Sequence, residues 1–208
     1  AVLFTLTAAA QSPSKVLKQA EKALGGQKAL LAVRTVKSSG TIRRVSDGVS
    51  GKYLFQTSQP NLLNIAYDLD GFEVEYGSNG RSGWTRNSRD GLQTLTGEAS
   101  IEFQAMAAFR SGLWLNAKKE KAKLVSGGSA NVNGKPANVV TMITAKGIPI
   151  KMFFDAVTGL PVRDEMPDAV ATRVTDYSDY RSVSGTMQPF AIRFTAGGRE
   201  LRTWVWSS

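Results

Sequence analysis

The feature that most constrains this chain is a run of short apolar segments separated by turn residues, clearest between Gly134 and Val162. Residues 139–144 and 148–155 are rich in β-branched and aromatic side chains, as strands are. Glycine, asparagine and aspartate separate the segments and mark tight turns. The pattern recurs over most of the chain and predicts consecutive antiparallel strands. Such a sheet must either close on itself or cover one face, so what fills that face is the functional question.

Helices are predicted at two places in the chain. Ser12-Pro13 marks a helix start and Gly25-Gly26 its end, and a second short helix follows over residues 27–33. A third helix is predicted over residues 98–114, where apolar side chains occupy most of the circumference, so it should be buried on more than one side. With about ten or eleven strands, the fold class is α+β and mainly β.

The sequence contains no histidine and no cysteine. This excludes an imidazole base, every Ser-His or Cys-His triad and any thiolate metal site. Paired carboxylates remain available for acid and base chemistry, in two clusters: Asp68, Asp70, Glu73 and Glu75, and Asp176 with Asp179. We interpret both clusters as solvated surface charge. We expect no catalytic residue, no metal ligand and no cofactor, and we predict that the chain is not an enzyme.

Lysine and arginine give a formal net charge of +9, spread along the chain. One interpretation is solvated strand faces, and the other is attraction to an anionic membrane surface. No recognition helix, RNA-binding motif or run of basic and aromatic pairs is present. We therefore predict no nucleic-acid partner.

The chain opens on an apolar run that ends in Ala8-Ala9-Ala10. This resembles the end of a secretory signal with its small-residue cleavage site, and a short first strand or helix tip is the alternative. The run is too short to span a bilayer, which takes about 20 residues. We predict a signal-peptide remnant over residues 1–10, a single domain over residues 11–208, and a periplasmic or secreted location.

Three segments together resemble a known family. They are Ala23-Leu24-Gly25-Gly26 with the short helix and strand after it, Asn79-Gly80-Arg81-Ser82-Gly83-Trp84 with Leu95-Thr96-Gly97-Glu98, and the stretch from Gly134-Lys135-Pro136 to Pro189-Phe190. In this order they resemble the LolA/LolB-like half-barrel family. The resemblance is to an uncharacterised branch of that family, whose members are similar to bacterial outer-membrane lipoprotein-sorting proteins. The resemblance implies a curved antiparallel sheet that forms a half-open, unclosed β-barrel covered by the N-terminal and central helices.

The expected function is a carrier or chaperone that binds a lipid or an acylated protein in the hydrophobic cavity of the half-barrel. The alternative is an envelope sensor or scaffold that binds a protein partner with the same fold. Apolar side chains alternate along the strands and so share one face of the sheet, and apolar side chains of the third helix are expected to face them. These residues are the candidates for the lining of the cavity, and the alternative interpretation is that they form an ordinary packed core. They are Leu63, Ile65, Tyr67, Phe72, Val74, Tyr76, Trp84, Phe103, Met106, Phe109, Ile150, Met152, Phe154, Phe190, Ile192 and Phe194.

Overall fold

A computed structural model describes residues 11–167 and 171–206. The predicted signal-peptide remnant, residues 1–10, lies outside the described residues. The helices are α1 (Pro13–Ala23), α2 (Gln27–Ala32) and α3 (Gly97–Arg110), and a 3-10 turn covers Leu113–Asn116. The strands are β1 (Thr35–Arg44), β2 (Ser50–Ser58), β3 (Leu62–Leu69), β4 (Phe72–Asn79), β5 (Gly83–Asn87), β6 (Gly91–Thr94), β7 (Lys123–Val132), β8 (Lys135–Ile143), β9 (Pro149–Asp155), β10 (Pro161–Met166), β11 (Arg173–Val183), β12 (Thr186–Ala196) and β13 (Arg199–Trp206).

The strands form one antiparallel sheet in the order β6-β5-β4-β3-β2-β1-β13-β12-β11-β10-β9-β8-β7. Strands that follow one another in the chain are neighbours, with the exception of β6 and β7, and β1 also pairs with β13 in the middle of the sheet. This pairing joins the two halves of the chain. The two ends of the sheet, β6 and β7, do not pair with each other, so the sheet is not closed.

The sheet wraps around the helices. Strands β3 and β9 are seven positions apart in the sheet, which in a flat sheet would separate them by roughly 34 Å at about 4.8 Å per strand. Nevertheless Leu63 of β3 and Met152 of β9 belong to one buried cluster with Met106 of α3. The sheet is therefore strongly curved, and the predicted half-open β-barrel is confirmed.

Glycines at two places allow neighbouring strands to approach unusually closely. A Cβ atom at Gly40 would lie 2.1 Å from the carbonyl oxygen of Val205, and one at Gly51 would lie 1.7 Å from that of Asp68. No other residue fits at either position without a shift of the backbone. Glycine within a strand is typical of such bends and close approaches.

The helices lie on the concave face. Helix α1 buries Val16, Leu17 and Ala20 in the cluster that also holds Met106 of α3. At the end of α1, the backbone N–H of Met187 donates to the carbonyl of Leu24 at 3.0 Å, which ties the helix to β12. No helix in the described ranges is long and apolar enough to cross a membrane.

Two sequence predictions are corrected. The helix predicted over residues 98–114 ends at Arg110, because Gly112 takes φ +96° and the chain continues as the 3-10 turn. Within residues 11–167 and 171–206 the sheet has thirteen strands, more than the ten or eleven predicted. Strand β6 was not predicted at all, since its residues are exposed and it carries a single large apolar side chain, Leu92.

Candidate functional site

Helix α3 crosses the concave face and leaves two cavities unfilled. The first, which we call the Arg110 cavity, lies at the C-terminal end of α3 and has a volume of about 250 Å³. The second, the Arg202 cavity, lies along the N-terminal half of α3 and has a volume of about 400 Å³. Ile65, Phe194 and Trp204 line both cavities, so these side chains form a wall that the two spaces share.

Most of the predicted lining residues face these cavities. Those that line one or both are Ile65, Tyr67, Tyr76, Phe103, Met106, Phe109, Met152, Phe154, Ile192 and Phe194. Leu63 and Ile150 lie instead in the packed core between the helices and the sheet. Phe190 is buried against Trp206, and Val74 packs against the same central cluster. Phe72 is the first residue of β4 and lies under the guanidinium of Arg89.

Trp84 lies on the opposite face of the sheet. The register pairs Tyr76 with Thr85 and Gly77 with Trp84, and residues paired across strands share a face. A Cβ atom at Gly77 would fall 2.2 Å from the Trp84 ring, which therefore covers this glycine, whereas one at Gly83 would meet Phe103 of α3. The fold does not bring Trp84 to either cavity.

A buried polar network fixes the end of α3 to the sheet. The guanidinium of Arg110 donates to the two carboxylate oxygens of Asp164 at 2.7 and 3.0 Å, and to the Thr175 hydroxyl at 3.0 Å. The Tyr177 hydroxyl contacts both Arg110 and Asp164. The side chains of Arg110 and Asp164 are 14% and 2% exposed. Bidentate pairs of this kind are among the strongest hydrogen-bonded contacts in proteins.

The network keeps Arg110 charged and the Tyr177 hydroxyl neutral. Burial alone would lower the pKa of Arg110, but the Asp164 carboxylate and Tyr177 together raise it above its ordinary value. Burial raises the pKa of Tyr177 well above its usual range, so its hydroxyl stays protonated. Arg110 and Asp164 neutralise each other, and the wall of the Arg110 cavity carries no net charge from this pair.

Sequence reasoning did not find this network. Arg110 and Asp164 are 54 positions apart, and each resembles an ordinary surface charge in its own segment. The available signal was the position of Asp164 two residues before the apolar Met166, which is buried on the same strand, β10. An acidic residue in phase with a core residue indicates a buried partner of opposite charge.

Three members of the two acidic clusters pair with arginines. Asp176 lies 2.7 Å from Arg163, and Asp179 lies 2.7 Å from Arg181. Glu75 of the other cluster pairs with Arg86 at 2.8 Å. Asp176 is 8% exposed, so it departs from the interpretation as solvated surface charge. Within the described ranges, no group of three or more acidic side chains is arranged to hold a metal ion.

Comparison with solved structures identifies the fold. The chain is similar to a DUF1329 family protein from Desulfovibrio piger, with a TM-score of 0.59 and 12% identity over 95% of this chain and 92% of that one. It is also similar to a domain from Vibrio parahaemolyticus provisionally named an outer membrane lipoprotein-sorting protein, with a TM-score of 0.57 and 9% identity over 93% and 89% of the two chains.

A LolA superfamily protein from Nitrosomonas europaea gives a TM-score of 0.53 and 14% identity, over 96% of this chain and 93% of that one. No family model matches the sequence, and no curated protein matches it significantly. The resemblance to LolA-like proteins inferred from the sequence is therefore confirmed at the level of the fold.

Proposed function

We propose that this chain is a non-enzymatic carrier or chaperone of the cell envelope, which binds a lipid or the acyl chain of a lipoprotein between α3 and the concave face of the sheet. It would work in the periplasm or outside the cell. Its formal charge of +9 would draw it to an anionic membrane surface. The solved structures of similar fold support this proposal, since one is provisionally named a lipoprotein-sorting domain and another belongs to the LolA superfamily.

The observation that carries the proposal is the apolar space that α3 leaves unfilled. The two cavities of about 250 and 400 Å³ together fall within the roughly 300–1,000 Å³ that small-molecule sites occupy. Their walls include Phe109 and Phe154 at one end and Phe103 and Tyr76 at the other. A folded chain packs its interior closely, so adjoining apolar spaces of this size favour an apolar guest.

The energy for binding comes from burial alone. Each methylene removed from water contributes about 0.8 kcal/mol, so a long acyl chain offers on the order of 10 kcal/mol before the costs of ordering it. No catalytic group is needed for this. Entry and release require α3 to move between two positions, and the Arg110–Asp164 pair is the contact that must yield at its C-terminal end.

Native mass spectrometry of the protein purified from cells tests the proposal, because a retained lipid appears as an added mass. Phe109→Asp puts a carboxylate in the wall of the Arg110 cavity and should abolish lipid uptake. Val157→Asp is the matched control, since it adds the same charge at a side chain that is 82% exposed.

Thermal unfolding of both variants establishes that they remain folded. Uptake by Phe109→Asp equal to that of Val157→Asp would contradict the proposal. A protein that never carries lipid, but retains a stable envelope protein partner, would instead favour the sensor or scaffold alternative.

A further inference from the structure

A patch of hydrogen-bond donors at the centre of the concave face has no acceptor opposite it. Its clearest members are Tyr67, Trp204 and Trp206, each with a covered nitrogen or oxygen atom that makes no hydrogen bond of normal geometry, and none is more than 9% exposed within the described part of the chain. The hydroxyl of Tyr53 faces that of Ser38, and the hydroxyl of Tyr67 faces that of Tyr76. An indole N–H can only donate, and a hydroxyl can donate. Because buried polar groups are nearly always paired, the patch indicates a missing acceptor.

The register of the sheet explains why these side chains gather. Gly40 of β1 pairs with Tyr53 on one side and Trp206 on the other, and Tyr53 pairs in turn with Tyr67. Since Gly40 has no side chain, the larger rings on either side lie together on one face. Tyr53 stacks on Trp204 with ring centroids 4.7 Å apart.

A positive charge lies beside this patch. Arg202 lines the same cavity as Tyr67 and Trp204, and its guanidinium carbon lies 4.7 Å from the centre of the Tyr67 ring. Among the described residues, Arg202 forms no ion pair. At the other end of the space, by contrast, Arg110 is neutralised by Asp164. Arg34 lines the Arg110 cavity and forms no ion pair among the described residues either, but it is exposed, whereas Arg202 is half-buried. Glu102 and Arg173 also line the Arg202 cavity, so Arg202 is the excess positive charge of that cavity.

We infer that the Arg202 cavity holds the anionic headgroup, a carboxylate or a phosphate, of a single-chain amphiphile. Its tail runs past Ile65 and Phe194 towards the Arg110 cavity. Arg202 pairs with the headgroup oxygens, and Tyr67 and Trp204 donate to them once the side chains covering these atoms shift. This inference rests on the proposed function, since it assigns the chemical class and the orientation of the same guest.

The test compares ligands that share one tail and differ in the headgroup. Isothermal titration of the full chain with dodecanoate, dodecyl phosphate and monododecanoylglycerol gives three affinities. Both anions should bind about tenfold more tightly than the neutral ester, because hydrogen bonds to a charged group are the stronger kind. The tighter of the two anions identifies the source, a fatty acid for dodecanoate or a lysophospholipid for dodecyl phosphate.

Variants locate the headgroup. Arg202→Gln and Tyr67→Phe should each reduce the preference for anions to about threefold or less, with little change in the affinity for the neutral ester. Tyr67→Phe keeps the ring and removes only the hydroxyl. Arg34→Gln is the matched control, since Arg34 is an exposed arginine that lines the Arg110 cavity, and it should leave the preference unchanged.

The outcomes separate this inference from the proposed function. Equal binding of all three ligands, or a preference unaffected by Arg202→Gln and Tyr67→Phe, overturns the headgroup site and leaves the carrier proposal standing. A preference lost in Arg34→Gln, but kept in Arg202→Gln, also overturns it. Failure of every ligand to bind refutes both.

Discussion

Removal of the Arg110 side chain should destabilise this protein far more than removal of an ordinary arginine. Arg110→Met leaves the Asp164 carboxylate, 2% exposed, without its cation and with the Tyr177 hydroxyl as its remaining polar contact. Breaking one partner of a buried ion pair costs about 3–5 kcal/mol. Because single domains are stable by about 5–15 kcal/mol in total, the variant should unfold at a much lower urea concentration.

The double variant Arg110→Met/Asp164→Leu should recover part of this loss. Replacing both charges by apolar side chains removes the unpaired carboxylate, which is the main cost, and such replacements of buried pairs are often neutral or stabilising. Recovery should remain incomplete, because Thr175 and Tyr177 lose partners and each unsatisfied buried hydroxyl costs about 1–3 kcal/mol.

Urea unfolding followed by tryptophan fluorescence measures these differences, provided that the slope with denaturant stays constant across the variants. Arg44→Met is the matched control, since its pair with Asp47 has side chains that are 38% and 45% exposed, and it should change the midpoint much less. A loss of less than about 1 kcal/mol in Arg110→Met, at the level of a surface ion pair, would refute the reasoning. So would a double variant less stable than Arg110→Met.

Three further predictions concern the sheet. Gly51→Ala should cost at least about 2 kcal/mol in urea unfolding, because its Cβ would lie 1.7 Å from the carbonyl oxygen of Asp68; an unchanged midpoint would contradict the close approach. Trp84→Ala should leave lipid uptake in native mass spectrometry intact, because the ring covers Gly77 on the face away from the cavities, and lost uptake in a folded variant would contradict this placement. The pKa of Asp155 is lowered by hydrogen bonds from the turn that follows it, above all from the backbone N–H of Thr158. The stability that these hydrogen bonds contribute is present above the unfolded pKa of about 3.9 and is lost as the pH falls through the folded value. The difference in melting temperature between the unchanged protein and Asp155→Asn should therefore shrink below about pH 4, and a difference that persists there would contradict the assignment.

The parts of this fold that depend on neighbouring residues could be predicted from the sequence. Asp70-Gly71 and Asn79-Gly80 fix their turns through local backbone geometry, and the structure has hairpins at both places. The apolar character of α3 likewise predicted a helix between layers. The C-terminal end of α3 could not be predicted, because Leu113 and Trp114 continue the apolar pattern beyond Gly112.

The parts that depend on distant pairing could not be predicted. The face of Trp84 follows from its register with Gly77, and a shift of one residue would have turned the ring towards α3. The donor patch depends on β1 lying beside β13, a contact between opposite ends of the chain. No local pattern in either strand indicates that Gly40 and Trp206 become neighbours.

The most direct test of the carrier account is a crystal structure of the protein grown with a fatty acid brominated near the end of its tail. The anomalous signal of bromine places that atom without reference to any model of the ligand. We predict a bromine peak in the Arg110 cavity, beside Phe154 and Met152, with the rest of the chain lying beneath α3. Bromine found only on the outer surface of the sheet, with α3 unmoved and both cavities unchanged, would contradict the account.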